Sequence, residues 1–206
     1  MARPRGRPTG SSGRAAVLTV AQIRHAFRIA KARVRHGARA ETALALSIGL
    51  GLRAKELTSL NWADVYETGG RVRKVVHLKA AYTKGGKTRD VFVSSPALRR
   101  VLEKYGEGNF VMSGRSSPTA LFASQKGGPM TPYSMARFLK ALYLEAGVVG
   151  ASSHSGRRTL ITRLAERGVD LKAIAQIAGH TSIRTTAMYV EANPTRLARI
   201  LQDVTF

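Results

Sequence analysis

Six side chains in this sequence are of the kinds that move a phosphoryl group, and they stand in a fixed order: Arg53, Lys84, His154, Arg157, His180 and Tyr189. A tyrosine oxygen can attack phosphorus and hold the product as a covalent ester. Two guanidinium groups can clamp the non-bridging oxygens of a phosphodiester through paired, charge-assisted hydrogen bonds. A lysine can protonate a departing oxygen, and histidines can accept or share protons near neutral pH. Together they supply what a tyrosine needs to cleave DNA without a metal ion.

Each residue sits in a local frame with an ordinary alternative beside it. Arg53 follows a turn bracketed by Gly49 and Gly51 and opens a short helix over 53–60. Glu56, three residues on, would serve equally as the partner in a surface ion pair. Lys84 lies in the run TKGGK, where Lys87 could fill the same role and both could be solvated turn lysines. His154 and Arg157 are spaced by three at a helix start and so share a face, and the amides there favour a phosphate. A capping histidine and a solvent arginine fit the same spacing, and Arg158 is the neighbour most easily confused with Arg157. His180 follows Gly179, a helix stop, and precedes Thr181 and Ser182, either of which can cap the next helix. Tyr189 closes that helix, where a tyrosine is more often part of a core.

The elements that must position these residues read as mainly helical with one small antiparallel β-hairpin. Thr19 with Gln22 forms a capping box, and a helix follows to about residue 36, ended by Gly37. A buried Ala- and Leu-rich helix covers 38–48. Residues 71–80 and 88–93 read as strands joined by a tight turn at Gly85 and Gly86. Further helices are expected over 96–105, 131–146, 155–167, 170–178, 182–189 and 194–203, with 106–130 as loop and Leu121–Phe122 as its one apolar piece.

Composition narrows the partners. The 206 residues hold 34 Lys or Arg against 12 Asp or Glu, a net charge of +22, so a polyanion is the leading partner. Ten of those cations precede Glu41, the first acid. Hydrophobic residues make up 44%, enough for a packed domain. The absence of cysteine excludes disulfides, a Cys-bound zinc and a thiol nucleophile, and fits a reducing cytoplasm. No apolar run is long enough for a membrane span, so no membrane role is expected. Residues 1–17 read as a flexible basic arm.

The segments GLRAKELTSLNWADV, TKGGKTRDVFV, HSGRRT and AGHTSIRTTAMYV jointly resemble the catalytic domain of the tyrosine recombinase, or phage integrase, family. The resemblance covers about 44–191 and implies that family's α+β catalytic-domain fold over 18–193. It implies that Tyr189 attacks the scissile phosphate to give a 3′-phosphotyrosyl bond and a free 5′-hydroxyl. Arg53 and Arg157 would clamp the phosphate, and Lys84 would protonate the leaving oxygen. His154 would act as base or hydrogen-bond partner, His180 would hold the phosphate, and Glu56 would orient the site. DNA contacts are expected from Arg5, Arg7, Lys87, Arg89 and Arg158. No cofactor or metal is implied.

Most of that family places a separate helical DNA-clamping domain before the catalytic one. This sequence resembles the short members without it, such as invertases that switch fimbrial genes. Pro4-Arg5-Gly6-Arg7-Pro8 resembles an AT-hook, in which Arg-Gly-Arg lies in a narrow A·T minor groove. A generic basic tail reads the same way. Residues 194–206 carry an apolar stripe of Leu197, Ile200, Leu201 and Val204. It either packs on its own domain or docks on a neighbouring subunit. The expected partners are double-stranded DNA, three further copies in a homotetramer, and an accessory DNA-bending or targeting protein. The expected location is the cytoplasm, on the nucleoid. Integration, excision and inversion all fit. Strand relaxation in the manner of a type IB topoisomerase, or a non-catalytic architectural or regulatory DNA-binding protein of the same fold, are the alternatives.

Overall fold

The computed structural model describes residues 15–83, 86–110 and 120–189. Helix α1 (Val20–Ala32) starts at the Thr19–Gln22 capping box, with both reciprocal bonds made. It ends four residues earlier than the sequence suggests. Arg33 turns out of the helix, pairing with Glu145 and stacking on Phe138 at 5.5 Å. Gly37 therefore begins a helix instead of ending one. His36 takes the left-handed conformation (φ 65) ahead of α2 (Gly37–Gly49). Every residue of α2 from Ala40 to Ser47 is buried, which makes it the central helix, flanked by α1 and by the later helices Pro96–Phe110 and Ser155–Glu166.

After α2 come α3 (Ala54–Ser59) and a short α4 (Trp62–Val65), which the sequence reading missed; an Asn61–Asp64 capping bond starts it. Strands β1 (Val75–Leu78) and β2 (Arg89–Phe92) pair antiparallel, Val75 opposite Phe92 and Leu78 opposite Arg89. Gly85 of the expected tight turn lies outside the described residues, and the strands stop short of it, leaving a connection from Lys79 to Thr88. It begins with a 3₁₀ turn (Ala80–Tyr82), and Thr83 Oγ1 donates to Lys87 O at 2.8 Å to close the base of the loop.

Helix α5 (Pro96–Phe110) runs past the glycine at 106, where the sequence pattern stops. Packing overrides the propensity here. Tyr66 Oη donates to Leu102 O, Tyr105 Oη donates to Leu121 O, and Trp62, Tyr66, Tyr105 and Phe122 form a stacked aromatic row. The apolar pair Leu121–Phe122 is a plug in the core. Helices α6 (Pro132–Glu145), α7 (Ser155–Glu166), α8 (Leu171–Ala178) and α9 (Ile183–Ala187) follow. Residues 1–14 of the basic arm, with Arg5 and Arg7, Lys84 and residues 194–206 lie outside the described residues.

Among the described residues two hydrophobic clusters result. The large one spans α1 to α6. A small one, Ile161, Ala165, Ile174 and Ala178, joins α7 to α8, with Leu164, Val169 and Tyr189 packed at its edge. Among the described residues no helix is long and apolar enough to cross a membrane.

Candidate active site

The site forms around the C-terminal end of α8. A helix end leaves carbonyls without intrahelical partners, and α8 closes with a Schellman motif: Gly179 N donates to Gln176 O and His180 N to Ala175 O. The next three carbonyls are taken by arginines from three other elements. Arg89 on β2 donates to Ile177 O at 2.8 Å, Arg157 on α7 to Ala178 O, and Arg53 before α3 to Gly179 O at 3.5 Å. These partners are 88, 21 and 126 residues apart in the chain. The helix dipole favours cations at this end.

Glu56 holds the guanidiniums together. It is fully buried, and its carboxylate receives Arg53 N (2.8 Å), Arg53 Nη1 (2.8 Å) and Arg89 Nη2 (2.9 Å). Burial alone would raise its pKa. Arg89, the Arg53 amide and the charges of Arg53 and Arg157 outweigh that and hold it below the ordinary carboxylate value. Arg157 is also buried and donates to Gly51 O at 2.9 Å. Burial first, then Arg53, push it down to about 9, so it stays cationic at neutral pH. Three guanidiniums against one carboxylate leave the pocket with two surplus positive charges, a field suited to a phosphodiester. Gly156 brings α7 this close: a Cβ there would lie 2.5 Å from Ser47 Oγ on α2.

His180 and Tyr189 complete the cluster. Their rings stack 5.7 Å apart at 20°. His180 Nδ1 lies 2.8 Å from Thr186 Oγ1. Burial, then Arg157, Arg53 and Arg89, push His180 down to about 4, so its ring is neutral at physiological pH. Tyr189 is half-buried beside it.

The structure thus brings Arg53, Glu56, Arg157, His180 and Tyr189 together. His154 stands exposed as the N-cap residue of α7, one turn before Arg157. Lys84 lies outside the described residues. Its neighbour Thr83 is buried, with its carbonyl accepting from Lys55 Nζ on α3 at 3.3 Å, so the loop is anchored next to the site. Lys87 is exposed.

Two expected DNA contacts are placed differently. Arg89 points inward, its side chain 9% exposed between Glu56 and α8. Strand alternation is the cause: it shares a face with the buried Val91 and Val93. That parity was readable in the sequence. Arg158 is half-buried and donates to Ala15 O at 2.7 Å, tying the leading segment to α7. Thr186 was missed, because nothing in the sequence marks its hydroxyl as a partner of His180.

The phage integrase family matches residues 16–196. The chain belongs to that family. Tyrosine recombinase XerD of Oceanobacillus iheyensis is 32% identical over 163 residues, 78% of this chain and 52% of the relative. Tyrosine recombinase XerC of Myxococcus xanthus is 31% identical over 168 residues, 80% of this chain and 54% of the relative. The chain therefore spans about half the length of these curated phage integrase relatives. A crystal structure of XerA recombinase superposes with a TM-score of 0.72 at 22% identity, covering 98% of this chain and 68% of that one. The Tn1549 transposon integrase, in complex with a circular intermediate DNA, gives 0.71 at 18% identity over 96% of this chain and 68% of that one. The fold is that of tyrosine recombinase catalytic domains.

The close fit of arginine and glycine at the end of α8 carries a prediction. Gly179 has φ 63, and a Cβ there would meet Arg89 Cδ at 2.4 Å. Gly179→Ala should cost more than about 1 kcal/mol from backbone strain alone, with a further loss from displacing Arg89. Urea unfolding measures it. A variant as stable as wild type would show that Arg89 is not fixed there.

Proposed function

We propose that this chain is the catalytic part of a site-specific DNA recombinase that cuts and rejoins strands through Tyr189. The observation that carries the reading is the convergence of Arg53 and Arg157 on the end of α8, beside the stacked His180–Tyr189 pair. Tyr189 Oη forms a bond to phosphorus while the P–O5′ bond breaks. The phenolic proton passes to His154 or water, and Lys84, with Lys87 as the neighbouring candidate, protonates the leaving 5′-oxygen. Arg53, Arg157 and the Nε2–H of His180 bind the oxygens on which charge builds. The ester bond to tyrosine conserves the energy needed to rejoin the strand, so no nucleotide cofactor enters. The attack needs a deprotonated oxygen, and tyrosine ordinarily holds its proton to about pH 10.

Double-stranded DNA is the proposed partner, supported by the chain's charge of +22 and by the DNA-bound Tn1549 integrase neighbour. A homotetramer on paired sites, a helper protein and a place on the nucleoid belong to the same reading. The test uses nicked duplexes taken from the flanks of the protein's own gene, without divalent metal. An SDS-resistant protein–DNA adduct, followed by exchange between two marked duplexes, is expected. Binding without an adduct on any duplex would overturn the reading. The arm is proposed to add groove contacts: removing residues 1–14 should weaken binding about tenfold or more and flatten A·T preference. Unchanged affinity in a gel-shift titration would dismiss that role.

A further inference from the structure

Thr186 lies six residues after His180 and three before Tyr189, and it is bonded to both. Its side chain is fully buried. Its Oγ1 is 2.8 Å from His180 Nδ1, and its carbonyl accepts from Tyr189 N at 2.9 Å.

A buried hydroxyl carries one proton that must find an acceptor. Helical threonines usually give it to the carbonyl four residues back. Thr42, Thr58 and Thr159 do so, to Ala38, Ala54 and Ser155. Thr186 does not. The carbonyl four residues before it, Ser182 O, accepts instead from Thr185 N at 3.1 Å in a tighter turn. Among the described residues the Thr186 hydroxyl has one hydrogen-bond partner, His180 Nδ1. Donation to Nδ1 would give the hydroxyl proton its acceptor and require a lone pair on that nitrogen. The single ring proton is then on Nε2.

The surroundings keep the ring from taking a second proton. Burial disfavours the charged ring, Arg157 from α7, Arg53 from the start of α3 and Arg89 from β2 act on it as cations, and the Glu56 carboxylate is engaged by Arg53 and Arg89. The Tyr189 ring covers one face. A neutral imidazole still has two tautomers, and the choice decides whether it offers a phosphate oxygen a proton or a lone pair.

We propose that Thr186 is a positioning residue: its hydroxyl donates to His180 Nδ1, fixing the imidazole as the Nε2–H donor, stacked on Tyr189. The role rests on the phosphotyrosyl reading of the site. One buried hydroxyl thus sets the ring that binds substrate, while the same residue's carbonyl fixes the backbone of the nucleophile.

The test compares wild type with Thr186→Val, which keeps the shape without the donor, and Thr186→Ser, which keeps the donor. Nitrogen-15 NMR of the histidine rings in the free protein reads the tautomer directly, with His180 assigned from the spectrum lacking it in His180→Gln. Wild type and the serine variant should show the Nε2–H form, and the valine variant a shift towards Nδ1–H. Single-turnover adduct formation on a nicked duplex should fall about tenfold in the valine variant, the worth of one hydrogen bond, and return in the serine variant. DNA affinity should stay level throughout. A wild-type Nδ1–H tautomer, or a valine variant with the wild-type tautomer and rate, would overturn the assignment. If the valine variant does not fold, the wild-type and serine spectra still decide it. Failure of wild type to form any adduct would count against the phosphotyrosyl reading, which the ring spectrum does not depend on.

Discussion

Tyr189→Phe will bind DNA as tightly as wild type and form no covalent adduct. The loss in strand cleavage should approach a millionfold, the scale met when a covalent nucleophile is removed. Phenylalanine keeps the ring that stacks on His180 and packs at the edge of the small α7–α8 cluster, so only the hydroxyl goes. No other tyrosine can take its place. Tyr66, Tyr105 and Tyr143 are core residues whose hydroxyls are pushed up by burial, Tyr105 to about 12. Tyr82 Oη bonds to Asp64, and Tyr133 stacks under Arg137 on α6. Denaturing gels of protein incubated with nicked duplexes provide the measurement, with a gel shift as the binding control. An adduct from the phenylalanine variant at the wild-type rate would remove Tyr189 from the mechanism.

The second large effect is on stability. Glu56→Ala should cost about 3–5 kcal/mol, the usual loss when one side of a buried ion pair is removed. In a chain of this size that lowers Tm by about 6–20 °C. The reason is charge balance. Glu56 is the acceptor that Arg53 and Arg89 share, and Arg157 adds to the same field. Without it three guanidiniums face one another inside the protein. Glu56→Gln keeps the shape and should cost about 1–3 kcal/mol. The pH dependence follows from the depressed carboxyl. A group whose pKa is lower in the folded state contributes fully above its unfolded value, here 4.5, and less as pH falls through its folded value. The gap between wild type and Glu56→Gln should therefore be constant near neutrality and narrow on acidification below about 4.5. Thermal melts at stepped pH measure it. An alanine variant within 1 kcal/mol of wild type would mean the arginines are satisfied some other way.

Local rules explain what could be read from the sequence. The Thr19–Gln22 box, the Ala- and Leu-rich run of α2 and the Ser182 cap of α9 are local features, and the structure has them all. Where tertiary contacts decide, the reading slipped. Arg33 leaves α1 early for Glu145 and Phe138, and the aromatic row around Tyr105 carries α5 past a glycine. The order of the site residues was legible, but what gathers them was not. The arginines meet at backbone carbonyls of α8, and a carbonyl has no residue type to recognise. The inward turn of Arg89 was available from strand parity beside Val91, although Arg89 was expected to contact DNA.

Those carbonyl acceptors shape how the site tolerates sequence change. A guanidinium held by a side chain is lost when that side chain mutates. Arg89 and Arg157 rest on the carbonyls of Ile177 and Ala178, which any residue provides. The side chain at 177 can vary without disturbing the clamp, because its backbone oxygen stays in place. At Gly179 the reverse holds, since the missing Cβ itself makes room for Arg89. Genetic drift should thus be broad at 177, which is partly exposed, and stop abruptly at the residue before His180.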